Sequence, residues 1–212
     1  MNMTRRGKLD MRLAVGSGAV LVLLAAMVLD TKFVRIGSAE DVQAGVFSAA
    51  SYGKTQFPKV QSAVESRAVD AAVLAAALAK DPAAAETQYG VAAPAGPEYS
   101  VKFTGKVGKQ DSGVYDVAIP GVPETIHVSV QTGPAINGTD LRDATGLIKF
   151  GEFSNQIDYQ NAGSALNNEM KKEVLSKIDA ANLTGKTISV VGAFELSDPA
   201  EWVVTPVKLT VQ

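Results

Sequence analysis

The chain has 212 residues, of which 46% are hydrophobic and 20% are charged, with a formal net charge of −2. This balance supports a packed core and excludes a disordered chain, and the length fits one domain with appendages. The absence of cysteine excludes disulfides, thiolate metal sites and a cysteine nucleophile, and a single histidine, His127, leaves few ligands for a metal.

The charged side chains are unevenly distributed along the chain. Residues 38–212 hold 14 basic and 20 acidic side chains, whereas residues 1–37 are basic overall. A nucleic-acid surface requires an excess of cationic side chains, because contacts with phosphates supply most of the affinity. The sequence therefore predicts a folded part that is acidic and does not bind nucleic acid.

The N-terminal segment has the pattern of a membrane anchor. Residues 13–29, LAVGSGAVLVLLAAMVL, are uncharged and follow a basic stretch. Such a run is at the lower limit for a membrane-spanning helix and exceeds the usual apolar core of a signal peptide. We expect residues 1–12 to be a cytoplasmic basic segment and residues 13–30 a transmembrane signal anchor, with the rest of the chain outside the cytoplasm. A cleaved signal peptide is the alternative.

Residues 38–92 are alanine-rich and are predicted to be a helical region. Pro58 fits the first turn of a helix, where its missing N–H is not needed. Asp70 and Asp81 each fit the position that caps a helix start, and Gly90 fits the end of the last helix. Short helices of this kind need another surface to pack on.

From residue 99 onward, the hydrophobic pattern changes to the alternation that is typical of β-strands. We predict five strands, at 99–109, 112–119, 124–132, 185–196 and 201–212. A helix at about 162–179 interrupts them, because its apolar residues recur at helical spacing. Gly105 lies inside the first strand, where a bend would let one strand join two parts of a sheet.

The order of these elements predicts the fold. Three strands, a connection with a helix and two further strands form the order of an OB-fold, a small five-stranded, partly open barrel. The predicted class is therefore mainly β with helices (α+β). An OB-like β-barrel domain over residues 99–212 is preceded by the helical region 38–92 and an N-terminal transmembrane helix. Another antiparallel β-roll with a packed helix is the alternative.

The sequence shows no recognisable set of catalytic side chains. His127 lies in the third predicted strand, on the face shared with Thr125, Ser129 and Gln131, and this polar face is predicted to be solvated. No nucleophile and base are spaced around His127, and the acidic residues lack the spacing of a calcium-binding loop. The sequence predicts a protein that is not an enzyme and that has no cofactor or bound metal.

Residues 150–167, FGEFSNQIDYQNAGSALN, are dense in amide side chains. In one interpretation, the amides hydrogen-bond exposed backbone groups and form a polar clamp over a hydrophobic plug of Phe150, Phe153 and Ile157. In the other interpretation, a convergent polar surface binds a sugar or a protein. The side chains of this candidate binding site are Arg142, Asp143, Asn155, Gln156, Tyr159 and Asn167.

The chain resembles a known bacterial family in three stretches: AVDAAVLAAALAKDPAAAETQYG, GPAINGTDLRDATGLIKFGEFSNQIDYQNAGSALN, and LTGKTISVVGAFEL with VVTPVKLTVQ. The family is domain of unknown function 2291, whose members are predicted periplasmic lipoproteins. The resemblance extends over the chain from Lys32 to the C-terminus. It implies a periplasmic, membrane-tethered protein, often encoded beside sugar-uptake ABC transporter cassettes of the ribose type, and it implies no established activity.

The chain departs from this family pattern at one place. Members usually carry a lipid-modified cysteine just after the apolar run, where this chain has AAMVLDTKFVRIG. The tether is then expected to be the apolar helix itself. The resemblance therefore implies a single-pass protein of the bacterial inner membrane, with the bulk of the chain in the periplasm.

Two functional hypotheses follow. In the first, the chain is a membrane-tethered periplasmic protein without catalytic activity, an accessory component of a ribose-type sugar ABC transport system. Its partners would be the ABC transporter permease or the periplasmic sugar-binding protein. In the alternative, it is a periplasmic binding module for a small, sugar-like ligand, with a pocket near Arg142 and Gln156.

Overall fold

The computed structural model describes residues 22–31 and 47–212, and residues 22–30 form an exposed helix. The predicted basic segment 1–12 and much of the predicted anchor 13–30 lie outside the described residues. Within the described part of the chain, no helix is both long enough and apolar enough to cross a membrane. The membrane anchor therefore stays a prediction.

One compact unit spans Val42–Gln212. Its helices are α1 (Ala49–Arg67), α2 (Ala71–Lys80), α3 (Pro82–Tyr89), α4 (Asp140–Asp143) and α5 (Gln156–Glu173). Turns of 3₁₀-helix lie at Phe150–Glu152 and Leu175–Lys177. Its strands are β1 (Val69–Asp70), β2 (Gly90–Ala92), β3 (Pro97–Asp111), β4 (Val114–Ala118), β5 (His127–Gln131), β6 (Thr187–Glu195) and β7 (Glu201–Val211).

The helices of this region begin and end as the predicted caps require, with one exception at Pro58. Asp70 and Asp81 accept hydrogen bonds from backbone N–H groups in the first turns of α2 and α3, at 2.9 and 3.1 Å. Gly90 directly follows α3 and begins β2. Pro58 lies inside α1 rather than at a helix start, so that prediction is wrong. Pro58 and Lys54 are both exposed, and water can therefore hydrogen-bond the carbonyl that the proline leaves without a partner.

Five strands close into a ring in the order β3–β4–β5–β7–β6, with β6 pairing back onto β3. Strands β5 and β7 are parallel, and the other neighbours in the ring are antiparallel. The short strands β1 and β2 add to β3. With α5 in the connection between β5 and β6, the ring has the strand order predicted for an OB-like fold.

Strand β3 takes part in both halves of the ring. Its residues 98–106 pair with β6, and it pairs with β4 from Lys106 onward. Gly105 lies at this exchange of partners. A Cβ at Gly105 would stand 2.6 Å from a methyl group of Val117 and 2.7 Å from the carbonyl oxygen of Ala118. The position therefore requires glycine, in agreement with the role predicted for it.

Three aromatic rings stack in series within the hydrophobic core. Trp202 stacks on Phe194 with 4.9 Å between ring centres, and Phe194 stacks on Tyr99 at 5.8 Å. All three side chains are buried. Burying one large apolar side chain contributes about 1.5 to 3 kcal/mol, so these rings are a major source of the stability of the fold.

Helices α1 and α5 pack closely against each other. Gly53, Phe57, Val60 and Val64 recur at helical spacing and form the buried face of α1. A Cβ at Gly53 would stand 2.5 Å from the backbone carbonyl oxygen of Ala165 in α5. Glycine at this position therefore sets the short distance between the two helices.

The polar face of β5 is only partly solvated. His127 is exposed, as predicted, and Ser129 is partly buried, but Gln131 is only 5% exposed. The prediction for Gln131 is therefore wrong. Its side chain accepts a hydrogen bond from the backbone N–H of Asn137 at 2.9 Å and donates one to the Thr205 hydroxyl at 2.8 Å. These bonds satisfy the buried amide and fix the loop that leaves β5.

Candidate functional site

Arg142 and Asp143 form a bidentate ion pair at the end of the short helix α4. Arg142 Nε donates to Asp143 Oδ1 at 2.8 Å, and Arg142 Nη2 donates to Asp143 Oδ2 at 2.7 Å. The two side chains are 7% and 6% exposed. A buried ion pair is tolerated only where further hydrogen bonds satisfy its remaining polar atoms, and neighbouring groups supply them here.

Tyr159 on α5 and Thr139 before α4 complete this pair. The Tyr159 hydroxyl donates to Asp143 Oδ1 at 3.1 Å, and Thr139 Oγ1 donates to Asp143 Oδ2 at 2.7 Å. Arg142 Nη1 donates to the backbone carbonyl of Tyr159 at 3.1 Å. The guanidinium carbon also lies 3.7 Å from the centre of the Tyr159 ring, a cation–π arrangement. Each nitrogen of the Arg142 guanidinium thus has a partner within the chain.

Gly163 lets the loop before α4 approach helix α5. A Cβ at Gly163 would stand 3.1 Å from Cγ2 of Thr139 and 3.9 Å from Nη1 of Arg142. One turn further along α5, Asn167 Nδ2 donates to the backbone carbonyl of Gly138 at 3.1 Å. The loop is therefore held on α5 by an amide as well as by the ion pair.

Five aromatic rings form a continuous cluster beside the ion pair. They are Phe47, Tyr52, Phe150, Phe153 and Tyr159, and the centres of contacting rings are 5.2 to 5.7 Å apart. Burial raises the pKa of Tyr52 to about 12, and the negative charge of Glu152 acts in the same direction. The cluster ties the segment around Phe150 to α1 and α5.

The other predicted site residues play separate parts. Asn155 accepts a hydrogen bond from a backbone N–H in the first turn of α5 at 2.9 Å, so it caps that helix. Gln156 is exposed at the first position of α5. The structure thus brings Arg142, Asp143 and Tyr159 into direct contact, with Asn155 and Gln156 outside that network. Asn155 and Asn167 hydrogen-bond backbone groups, which agrees with the role that the first interpretation gave to the amides.

The hydrophobic plug predicted for the same stretch is largely absent. Phe150 and Ile157 are 54% and 69% exposed, so the prediction is wrong for both side chains. Phe153 is partly buried against the core. Helix α5 begins only at Gln156, so Ile157 lies in its first turn and Phe150 lies in the 3₁₀ turn that precedes it. Neither side chain is on the face of α5 that packs on the core.

Sequence reasoning missed a buried glutamate close to the ion pair. Glu98 is 2% exposed and lies opposite Glu195 in the pairing of β3 with β6. Burial raises the pKa of Glu98 to about 9, and the charges of Asp140 and Asp143 add to that effect. Within the described residues, Oε2 of Glu98 has no hydrogen-bond partner. Glu98 is therefore a neutral carboxylic acid at pH 7.

Asp140, the first residue of α4, is a second buried acid. It accepts a hydrogen bond from the Thr205 hydroxyl, which in turn accepts one from Gln131. Burial raises the pKa of Asp140 to about 6, although the hydrogen bond from Thr205 opposes the shift. Its hydrogen-bond partner Thr205 lies 65 residues further along the chain, so no local signal in the sequence marks Asp140 as buried.

The arrangement favours a structural role over chemistry at the ion pair. Each nitrogen of the Arg142 guanidinium and both oxygens of Asp143 make hydrogen bonds within the chain. In the part of the chain that the structure describes, no group of three or more His, Cys, Asp or Glu side chains is placed to hold a metal ion. Beside the ion pair, the apolar side chains of Phe150 and Ile157 are exposed among polar ones such as Glu152 and Gln156.

Comparison with known proteins gives the fold and the family. The crystal structure of an OB-fold protein from Thermotoga maritima MSB8 is similar to this chain, with a TM-score of 0.62 and 21% identity, over 79% of this chain and 99% of that chain. At this identity the similarity shows the fold alone. No curated protein matches the chain. The family model for DUF2291, described as predicted periplasmic lipoprotein, matches residues 18–210, and the chain therefore belongs to this family, as the resemblance predicted.

Proposed function

We propose that the chain is a membrane-tethered periplasmic protein without catalytic activity, and that it is an accessory component of a ribose-type sugar ABC transport system. In this role it contacts the permease or the periplasmic sugar-binding protein. The family description supports the periplasmic location, and the uncharged run at residues 13–29 supports the tether. The link to sugar transport comes from what the family resemblance implies.

The observation that carries the proposal is a set of exposed apolar side chains on residues 147–157. Leu147, Phe150 and Ile157 are 56%, 54% and 69% exposed. Single exposed apolar residues are common on soluble proteins, whereas exposed apolar patches mark surfaces that contact another protein. This segment is therefore the proposed contact surface.

The proposed contact surface is held in place by contacts with the rest of the fold. The Phe150 ring packs edge-on against the Tyr159 ring at 5.4 Å between centres. Tyr159 is itself fixed by Arg142 and Asp143. A surface that is already ordered loses less conformational entropy when it binds, which favours affinity.

The alternative, a sugar-like ligand near Arg142 and Gln156, has less support. A sugar hydroxyl needs free hydrogen-bonding groups, whereas the three nitrogens of Arg142 bond within the chain. A sugar site usually also offers a free aromatic face, but the guanidinium of Arg142 covers one face of Tyr159. Protein contact therefore fits the geometry better than sugar binding.

A photo-crosslinking amino acid at position 157 of the full chain, in membranes of cells that carry the transporter, tests the contact. We expect adducts with the permease or the sugar-binding protein. The matched control places the same amino acid at Val73, which is 50% exposed on α2. Adducts at the two positions in equal yield, or adducts only with unrelated proteins, would contradict the proposal.

A further inference from the structure

We infer that a groove between strands β4 and β5 binds a small organic cation that has an apolar body. The groove has a volume of about 510 Å³. Sites for small molecules usually have volumes of roughly 300 to 1,000 Å³. This role is separate from the protein contact at residues 147–157, because the groove is lined by other residues.

The groove exists because β4 and β5 part from each other. They pair as far as Asp116 and Ser129, and the ladder ends there. Beyond that point, Ala118 stays paired with β3, while His127 and Val128 pair with β7. Beyond this point β4 pairs only with β3 and β5 pairs only with β7, so a groove opens between them.

The connection that lines the groove is ordered by its own hydrogen bonds. The backbone N–H of Val122 donates to the carbonyl of Ile119 at 3.2 Å, and that of Ile126 donates to the carbonyl of Pro123 at 2.9 Å. Two successive turns therefore shape this wall. A groove of this kind is formed before a ligand arrives, which is typical of small-molecule sites.

The lining selects for a particular chemistry. Its walls are apolar, formed chiefly by Val117, Ile119, Val122, Ile126 and Val128. Asp116 and Glu124, both exposed, add carboxylates, and His127 adds a hydrogen-bonding ring. None of the described residues that line the groove is a lysine or an arginine, so its field is negative.

These features distinguish a cation from other ligands. The carboxylates repel an anion, and no Phe, Tyr or Trp is among the described residues that line the groove, so a sugar has no ring to stack on. The excess of acidic side chains in residues 38–212 adds a longer-range attraction for cations. An ammonium group can pair with a carboxylate while its hydrocarbon chain covers the walls.

A second depression on the protein offers an internal comparison. It has a volume of about 330 Å³, lies on β3, β6 and β7, and is lined by Lys102 and Lys208 as well as by Asp70. Val191 is in its lining. Because this depression presents cationic side chains, an organic cation should not prefer it.

The test is methyl NMR of the full chain, with labelled isoleucine and valine, during titration with n-butylammonium chloride. We expect the methyl signals of Ile119 and Ile126 to shift, and that of Val191 to stay in place. Replacing both carboxylates, with Asp116→Asn and Glu124→Gln, should raise the dissociation constant at least tenfold. The control Asp111→Asn removes an exposed carboxylate outside the groove and should leave the constant unchanged.

Equal concentrations of n-butanol and of butyrate complete the experiment. Weaker shifts with both compounds support recognition of the cation. Shifts as large with n-butanol would show an apolar cleft without charge recognition and would overturn the inference. It would also fail if Ile119 and Ile126 did not respond, or if the double variant bound as tightly as the native chain. Crosslinking at position 157 is independent of each of these results.

Discussion

Arg142 and Asp143 are adjacent in the chain, and their side chains turn toward each other to form two hydrogen bonds of 2.8 and 2.7 Å. The Tyr159 ring covers the guanidinium, and the Tyr159 hydroxyl bonds the carboxylate. The pair therefore joins two helices, because α4 supplies both charges and α5 supplies the ring. Its main effect is to fix the connection that carries the exposed segment 147–157.

Replacing Arg142 with alanine should destabilise the fold strongly. The substitution leaves the buried carboxylate of Asp143 without its cation, and breaking a buried pair in this way costs about 3 to 5 kcal/mol. Urea unfolding of the full chain measures the change. The control is Lys172→Ala, since Lys172 is 63% exposed and pairs with Glu169 at the surface, where such a pair contributes about 1 kcal/mol at most. Equal effects of the two substitutions would show that the buried pair adds no stability.

Replacing Gly53 with alanine should also destabilise the protein. Alanine favours a helix over glycine by about 1 kcal/mol, but its Cβ would stand 2.5 Å from the carbonyl oxygen of Ala165. Overpacking of this kind costs about 1 to 3 kcal/mol, so the clash should outweigh the gain. Thermal unfolding compares this variant with Gly151→Ala, where a Cβ meets nothing within 4 Å. A melting temperature at or above the native one for Gly53→Ala would contradict the packing argument.

The fold was predictable in outline because its strands alternate and its turns are marked by glycine and proline. The bend at Gly105 and the helix caps at Asp70 and Asp81 were predictable, because each depends on a residue type and its immediate neighbours in the sequence. Pro58 shows the limit of such rules. A proline is tolerated inside α1 because its face of the helix is solvated, and exposure of that face depends on tertiary packing.

The site was less predictable, because burial of its polar groups depends on contacts between distant segments. Glu98, Ser100 and Lys102 alternate onto one face of β3, yet only the first two are buried. Nothing local to β3 distinguishes them. Gln131 is likewise buried by Thr205, which is far away in sequence. The contact of Arg142 with Asp143 could not be foreseen from the sequence, because adjacent residues on a helix do not usually face each other. The packing of the Tyr159 ring over the guanidinium, from 17 residues away in sequence, could not be foreseen either.

Stability should fall as pH rises above about 5, because of Glu98. The pKa of Glu98 is raised from 4.5 to about 9 in the folded chain. Between these pH values the folded chain keeps a proton that the unfolded chain has released, so the free energy of unfolding decreases with pH. At 1.36 kcal/mol for each pKa unit, the loss between pH 5 and pH 8 is on the order of 4 kcal/mol.

Glu98→Gln should remove this loss and stabilise the protein at pH 8. Urea unfolding at several pH values from 6.5 to 8.5 isolates the effect, because Asp140, whose pKa is raised to about 6, is ionised over most of that range. Glu173→Gln is the control, since the Glu173 side chain is 46% exposed. If Glu98→Gln keeps the native slope of stability against pH, Glu98 is not the group responsible.

Substitutions on the proposed contact surface should weaken binding to the partner without destabilising the fold. Ile157→Ser and Gln156→Ala change exposed side chains, and surface substitutions usually alter stability by about 0.5 kcal/mol or less. Both variants should therefore unfold like the native chain but recover less permease or sugar-binding protein from membranes treated with a soluble chemical crosslinker. Val73→Ser controls for the loss of an exposed apolar side chain elsewhere. Undiminished recovery with the Ile157 and Gln156 variants combined would exclude this surface as the contact.

The membrane tether gives the last prediction. Val22, Leu23 and Leu24 are 70%, 63% and 53% exposed on the helix at residues 22–30, and the apolar run that contains them is the proposed anchor. A charged residue at the centre of a membrane helix costs about 2.5 to 3.5 kcal/mol on insertion scales. Leu23→Arg combined with Leu24→Arg should therefore release the chain from membranes washed at alkaline pH, while the native chain stays in the pellet.

The matched control for this variant is Leu23→Ala with Leu24→Ala, which shortens the side chains without adding charge and should remain in the pellet. Intact-mass measurement of the native chain decides the remaining alternative, a cleaved signal peptide. An anchor requires residues 13–30 to be present in the mature protein, because they hold the apolar run. A mature mass that lacks this segment would remove the tether from the proposed function, while the contact at residues 147–157 would remain testable by crosslinking.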